Sequence, residues 1–386
     1  MKKYMTCESV TEGHPDKVCD KIADSILDEY LRQDENSHVA CEVITIGKSI
    51  KVFGEVKSYA NVDINNIVKM TIKEIGYIGY DDIDIMLNTQ SPDISIGVRN
   101  DEGAGDQGMM YGYATNETIE YMPAPIMFAH KLTKQLEDIR KIEKVEFIKP
   151  DGKAQVTVEY CNNGILRIDN VVVSTQHTED IKIEDLRLYI MENVIKKVLP
   201  NNLLDENTKY YINPTGRFVI GGPEADSGLT GRKIIVDTYG GVDHHGGDAF
   251  SGKDPSKVDR SVTYMTRYIA KNIVAAGYAD KIEIALSYVI GVSEPTSINI
   301  DTFGTGKVED EFILKTIKEV FPLTLKGIIE CLDLRKPIYH LTTNYGHFGK
   351  EGLSWEKLDK VVLLEERLRT FGLSTADSIG QYFDNY

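Results

Sequence analysis

The sequence predicts an α+β protein of three similar sheet-plus-helix units, and three observations carry that reading. An order of helix, β-hairpin, helix and closing strand recurs three times along the 386 residues. The copies are spaced by the length of a small domain. Within each copy the apolar pattern switches from a helical period to strict alternation and back. The units are assigned to residues 1–100, 101–220 and 221–386, the last with a tail helix. Each sheet is expected to be covered by helices on one face.

In the first unit, Pro15 opens a helix running to about residue 34, with Val18, Ile22, Ile26 and Leu27 as its apolar stripe. His14, Asp16 and Lys17 stand at its start and read as a cap with exposed charges. Alternating runs at 39–46 and 50–56 flank a Gly-Lys-Ser turn, the pattern of a hairpin. A helix at 62–75 and a strand at 83–88 complete the unit. The second unit repeats this with a helix at 122–142, a hairpin of 155–160 and 165–174, a helix at 183–199 and a strand at 210–212. In the third, Asp254 is the expected N-cap and Pro255 the first residue of a helix to about Ala276. A hairpin of 281–292 and 296–302 and a helix at 308–321 follow. The tail after Leu353, which carries the single tryptophan Trp355, reads as a helix packed on the body.

A net charge of −16 argues against nucleic acid or an anionic membrane as the principal partner, since both call for basic surface. Five cysteines, an odd number with no C-x-x-C, fit a reducing compartment. The start, MKKYMTCESV, has no apolar core of a signal peptide, and no apolar run approaches a membrane span. A cytoplasmic enzyme is the expectation.

The stretch 221–260, GGPEADSGLTGRKIIVDTYGGVDHHGGDAFSGKDPSKVDR, is glycine-dense and rich in charge. Only 234–238 reads as an ordinary buried strand. Glycines let backbone N–H groups converge on an anion, and Arg232, Lys233, Lys253 and Lys257 add positive charge. Lys253 and Lys257, four apart, are expected to converge at the helix start. Asp226, Asp237, Asp243, Asp248, Asp254 and Asp259 are candidate ligands for a hard cation such as Mg²⁺. Together these features suit a metal-chelated polyphosphate. The segment from Gly247 to Lys253 has the glycine spacing and lysine of a P-loop, but Asp254 replaces its Ser or Thr, which excludes a P-loop NTPase. Gly103, Gly105 and Gly108 form a literal G-x-G-x-x-G without the strand before and helix after that a dinucleotide site needs; the surrounding 91–108 reads as a glycine-hinged lid or as a plain loop. His244 and His245 read as a turn, without partners at ligand spacing. Phe218 reads as core.

Taken together, GHPDK, GAGDQG, GGPEADSGLTGRK and HGGDAFSGKDPSK resemble the signatures of methionine adenosyltransferase (S-adenosylmethionine synthetase), in that family's order and over nearly the whole chain. The resemblance implies three α/β units about a pseudo-threefold axis, and homodimers or homotetramers with sites between subunits. It implies Mg²⁺, two per site, and K⁺. The substrates would be ATP and L-methionine, the sulfur attacking C5′ and the released tripolyphosphate being hydrolysed to pyrophosphate and phosphate. His14 would lie at the bond being broken, Asp16 and Asp259 at Mg²⁺, and Glu42 at K⁺. Arg232, Lys233, Lys253 and Lys153 would hold the phosphates. Asp151, Arg217, Phe218 and Ala249 would complete the ATP site, with Phe218 now stacked on adenine. Glu55, Gln90, Asp106, Asp226 and Lys257 would serve methionine and the nucleoside junction. The lid would include Gln90, Ser91, Gly97, Gly103 and Gly105.

Three departures from the family pattern stand out: Asp248 where a third glycine is usual, Glu224-Ala225 before Asp226, and a shorter lid. Two other classes remain open at this stage, an unrelated Mg-ATP phosphotransferase and a nucleotide-binding module without catalysis.

Overall fold

The computed structural model describes residues 3–89, 103–161 and 164–370. In chain order the elements are β1 (Lys3–Val10), α1 (Pro15–Gln33), β2 (His38–Ile46), β3 (Ser49–Lys57), α2 (Ile64–Ile75), β4 (Asp82–Asn88) and β5 (Gly108–Thr115). Next come α3 (Ala124–Lys141), β6 (Ile148–Cys161), β7 (Gly164–His177) and α4 (Ile183–Ile190), which continues through a π turn at Met191–Ile195. The rest are β8 (Lys209–Ile212), β9 (Gly228–Leu229), α5 (Ile234–Asp237), α6 (Val258–Ala275), β10 (Lys281–Tyr288), β11 (Ser297–Asp301), α7 (Asp310–Val320), α8 (Leu325–Cys331) and α9 (Val361–Thr370).

Each expected hairpin nucleates one sheet, and the fold is α+β with the repeated units the sequence predicts. The sheets run β4-β3-β2-β9, β1-β6-β7-β8 and β11-β10-β5. In the first two, the closing strand lies parallel to the second hairpin strand, β4 on β3 and β8 on β7. Helices cover one face of each: α1 and α2 the first, α3 and α4 the second, α6 and α7 the third.

Each sheet also takes a strand from another part of the chain. Strand β1 pairs with β6 in the second sheet, Val10 opposite Lys153. Strand β5 pairs with β10 in the third, and β9 with β2 in the first, Leu229 opposite Ile44. The lending is cyclic. Sequence pattern missed β1, β5 and β9; in β5, GMMYGYAT, the residues from Gly112 to Thr115 are all buried, so polar alternation is lacking. Gly112 in β5 is where α6 crosses: a Cβ there would lie 2.1 Å from the Thr266 carbonyl carbon.

Two expected elements differ. Residues 234–238 form the one-turn helix α5 instead of a strand. That turn delivers Asp237 to the buried ammonium of Lys17, while Thr238 Oγ1 returns a hydrogen bond to the Ile234 carbonyl. A buried ion pair outweighs the β propensity of three branched residues. The helix after Asp254 begins three residues late, at Val258 with Lys257 as its N-cap. The Asp254 carboxylate is diverted to β2, accepting from Val39 N at 2.7 Å, and to Ser256 N at 2.8 Å. Lys253 and Lys257 therefore do not converge on one helical turn. The tail behaves as expected: Leu364 and Leu368 of α9 are buried, and Trp355 stacks on Tyr264 with centroids 3.8 Å apart.

Helix α1 is apolar on the side facing the first sheet, and its opposite side is not exposed. Asp16, Asp20, Asp24 and Asp28, spaced by four, are only 2, 0, 0 and 2 % exposed. Asp16 accepts from Leu229 N at 3.1 Å and Asp20 from Gly231 N at 2.9 Å. Asp24 accepts from Gly252 N at 2.8 Å, and Asp28 from Tyr339 N and His340 N, both at 2.9 Å. Asp24 also holds Arg260 in a bidentate pair, both contacts 2.7 Å, with both residues fully buried. The charges read as exposed at the start of α1 are in fact interior. Buried carboxylates persist only when paired, and these four are paired with loops from the far end of the chain.

Removing one partner of a fully buried pair leaves an uncompensated charge, costing about 3–5 kcal/mol. Asp24→Asn is expected to lower the unfolding free energy from denaturant titration by an amount in that range, and adding Arg260→Met should recover part of it. A midpoint unchanged in Asp24→Asn would show that the pair is not a structural constraint.

Candidate active site

The edge of β2 carries both halves of the glycine-rich stretch. Strand β9 pairs with Ile44 and Thr45, and Thr230 N donates to Val43 O at 3.0 Å. Farther along, Cys41 N donates to Gly252 O at 2.9 Å and Asp254 N to Val39 O at 3.1 Å. Residues 228–233 and 246–254 are thus held side by side along one strand. They touch where a Cβ on Gly231 would meet Ala249 Cβ at 2.4 Å. Gly252 is obligatory: its φ is +80°, and a Cβ would fall 1.8 Å from the Cys41 carbonyl oxygen. Gly228 passes so close to α1 that a Cβ would lie 2.2 Å from Pro15 O.

At one end of this cradle stands the N-terminus of α1. His14 is its N-cap, and His14 Nδ1 accepts from Asp16 N at 3.2 Å. That bond assigns the imidazole proton to Nε2. Burial, then the charge of Lys233, pushes His14 down to about 3, so the ring is neutral. The Asp16 carboxylate binds Lys233 Nζ at 2.5 Å and lies 3.6 Å from Arg232 Nε. Burial raises its pKa, but hydrogen bonds from Lys233 and Leu229 N outweigh burial and leave it below the usual carboxylate range. Lys153, across on β6, is close enough for its charge to act on His14 and pairs with Glu8 at 3.5 Å.

The other end is built on Lys253, whose Nζ lies 2.7 Å from Asp259 Oδ2. Burial raises the Asp259 carboxyl against the attraction of Lys253, and Asp248 and Asp106 add repulsion. Glu42 faces the same lysine. Burial pushes it up to about 7, with Lys253 the main opposing charge. Lys257 caps α6 and pairs with Asp254 at 3.7 Å.

The remaining expected residues lie around this core. Asp151 is buried, accepts from Gly222 N at 2.8 Å, and is pushed up to about 6 by burial. Asp226 is exposed, with Ser227 N donating to its Oδ1 at 2.8 Å. Phe218 is half-buried, its N–H bonded to His177 Nε2 at 3.0 Å, and exposed Arg217 pairs with Glu179 at 2.8 Å. Among the described residues, no hydrogen bond or ion pair joins Arg217 or Phe218 to the lysine cluster. Glu55 projects from β3 opposite Ala40, the residue whose backbone bridges to Lys253. Asp106 is exposed and acts electrostatically on Asp259. Gly103 and Ala104 are pinned to the third unit, with Ala104 N donating to Val292 O at 3.0 Å. Gln90, Ser91 and Gly97 lie outside the described residues.

Sequence reasoning missed the support beneath these groups. Lys17 is fully buried between Asp20, at 2.9 Å, and Asp237. With Asp24 and Arg260 these residues position the cradle without forming its surface. The i, i+4 aspartate ladder from Asp16 to Asp28 was visible in the sequence, but only the tertiary fold supplies its donors.

The candidate metal donors here, buried Asp16 and Asp259 and half-buried Glu42, offer carboxylate oxygens, a set suited to a hard cation. Asp16 and Asp259 are each neutralised by a lysine, Lys233 and Lys253, and Glu42 sits in a site that favours an accompanying cation. The residues therefore fit metal ions together with an anionic ligand.

Three family models match the chain in succession: the N-terminal domain of S-adenosylmethionine synthetase over residues 2–101, the central domain over 101–218 and the C-terminal domain over 220–357. An S-adenosylmethionine synthase of Clostridium botulinum (strain Alaska E43 / Type E3) is 53 % identical over 384 residues, covering 94 % of this chain and 98 % of that protein. An S-adenosylmethionine synthase of Clostridium tetani (strain Massachusetts / E88) is 53 % identical over 386 residues, with the same coverage of each. With the charged cradle on β2 and all three domains matched in order, the chain belongs to the S-adenosylmethionine synthetase family.

Proposed function

We propose that the protein makes S-adenosylmethionine from ATP and L-methionine, as a methionine adenosyltransferase. The sulfur attacks C5′, the C5′–O bond breaks, and tripolyphosphate leaves and is then hydrolysed to pyrophosphate and phosphate. The observation that carries this reading is the juxtaposition of Lys233 and Lys253, each already paired with a carboxylate, on neighbouring segments of one strand edge. A tripolyphosphate with its metal ions exchanges partners with those pairs while overall charge balance is kept.

A neutral thioether is a modest nucleophile, so positioning and stabilisation of the leaving group supply the rate. Arg232, Lys233, Lys253 and Lys153 hold phosphate oxygens. His14, neutral and protonated on Nε2, donates a hydrogen bond near the C5′–O bond as negative charge develops there. Phe218 stacks on adenine beside Arg217, with Asp151 and Ala249 completing the ATP site. Glu55, Gln90, Asp106, Asp226 and Lys257 hold methionine and the nucleoside junction, and the 90–105 segment closes over both substrates. Asp16 and Asp259 would hold Mg²⁺, two ions per site, and Glu42 would hold K⁺. When bound, these cations neutralise the triphosphate and favour its departure.

A homo-oligomer, a dimer or a dimer of dimers, fits the outer face of the first sheet. Phe53 pairs with Glu42 and Met86 there, next to Ile46, and Phe53, Met86 and Ile46 are 39, 63 and 64 % exposed. Glu42 and Glu55 share this face, so a second copy covering it would help to build the site. The three units at 1–100, 101–220 and 221–386 and a cytoplasmic location belong to the same reading; none of the described helices is long and apolar enough to cross a membrane.

Incubation with ATP, methionine, Mg²⁺ and K⁺ should yield a sulfonium product with pyrophosphate and phosphate by mass spectrometry. ADP as the product would favour a phosphotransferase, and no turnover a binding module. Lys253→Met and Asp16→Asn should each slow turnover by about 10²–10³ with the circular dichroism spectrum preserved; near-wild-type rates would show that the cradle is misassigned. Because burial pushes His14 down to about 3, its titration should contribute no limb to the pH–rate profile between about 5 and 8. His14→Asn should therefore lower the rate without changing the profile's shape. A limb near 6.5 that disappears in the variant would refute the neutral-donor role.

A further inference from the structure

The pair His244-His245 has no ligand-spaced partner in the sequence, but the fold gives His244 two. His244 Nδ1 lies 2.5 Å from Glu283 Oε2. Asp243 and Glu283 stand within hydrogen-bonding reach of each other. One ligand atom from each of the three side chains lies within 4.8 Å of the other two, the only such His, Cys, Asp or Glu group found among the described residues. The strand register explains the meeting. Glu283 of β10 is buried opposite Asp301 of β11 and Tyr113 of β5. Asp243 and His244 lie on the loop that leaves α5 for the cradle, and Gly246 locks that loop to β5. A Cβ on Gly246 would lie 2.0 Å from Met109 O.

We propose that Asp243, His244 and Glu283 form a binding site for one divalent cation of the zinc type, separate from the carboxylates Asp16 and Asp259. The donor set is the first reason. One imidazole nitrogen and two carboxylates, with a position left for water, is a zinc-type arrangement, whereas Mg²⁺ prefers oxygen ligands alone. The second reason is an atom that nothing else satisfies. Asp243 Oδ2 is sealed from solvent and has no hydrogen-bond partner. Third, the charges acting on Asp243 from Glu283 and Asp301 are both negative. Half-buried Asp243 and buried Glu283, this close, need a cation or a proton between them.

The placement gives such an ion a consequence. A small cavity is lined by Met109, Tyr111, His244, Asp248 and Asp259, so it touches both His244 of this cluster and Asp259, the partner of Lys253. The ring of Tyr111 packs on His244, with centroids 5.5 Å apart. An ion at the cluster would tie the loop of residues 243–247 to the third sheet, and that loop runs directly into Asp248 and Lys253. The site would thus stiffen the cradle from outside, without touching phosphate.

The test uses the full chain, stripped with chelator and then saturated with Mg²⁺ to fill the hard-cation sites. Cobalt(II) is titrated in as a spectroscopic probe and back-titrated with Zn²⁺. One equivalent should bind, with the visible absorption of a low-coordinate nitrogen–oxygen site, and Zn²⁺ should displace it. His244→Ala, at a side chain 73 % exposed and so safe for folding, should weaken binding by about tenfold or more. Glu283→Gln should do the same. Absence of a stoichiometric cobalt spectrum, or unchanged binding in His244→Ala, would overturn the site and leave a shared proton as the bridge between the two acids.

Discussion

The constraint on which the rest depends is that helix α1 turns its aspartate side to protein and not to solvent. Its apolar stripe packs on the first sheet, and its aspartates at 16, 20, 24 and 28 face protein as well. An interior carboxylate must find donors, and most of those available are backbone N–H groups of loops more than 200 residues away. The glycine-rich segments are therefore held from two directions. Aspartates of α1 accept their N–H groups, and the edge of β2 takes their ladder hydrogen bonds. This is how a stretch nearly devoid of regular structure acquires defined geometry.

The site's electrostatics follow from that support. Asp16 has one oxygen committed to Leu229 N and the other to Lys233. Lys253 bridges Asp259 and acts on Glu42. Lys233 and Lys253 are each compensated by a carboxylate, and burial makes those pairs matter far more than surface ion pairs would. Under the proposed function, metal and polyphosphate together replace those partners without stranding a charge. The same burial keeps His14 neutral, which suits the hydrogen-bond donor role proposed for it.

The cyclic exchange of β1, β5 and β9 ties the units together more firmly than linkers would. Strand β9 is only two residues long, yet it carries the start of the cradle into the first sheet. The first and third units share one hydrophobic core, while the central unit has its own.

Much of this was legible in the sequence because it is local. Periodicity marks the hairpins and their covering helices, and residue type marks an anion cradle with carboxylates. Long motifs such as GHPDK and HGGDAFSGKDPSK mark the family. What only the tertiary structure decided is everything that depends on a distant partner. Residues 234–238 have strand composition but wind into a helical turn, because Asp237 must meet Lys17. Asp254 looks like an N-cap but is drawn away by Val39 N. Asp20, Asp24 and Asp28 look like solvated charges until the loops that satisfy them fold over α1, and His244 gains its neighbour Glu283 only through strand register. Local pattern reports which face of an element is apolar; what a polar face will meet is set by long-range hydrogen bonding, and no spacing in the chain encodes it.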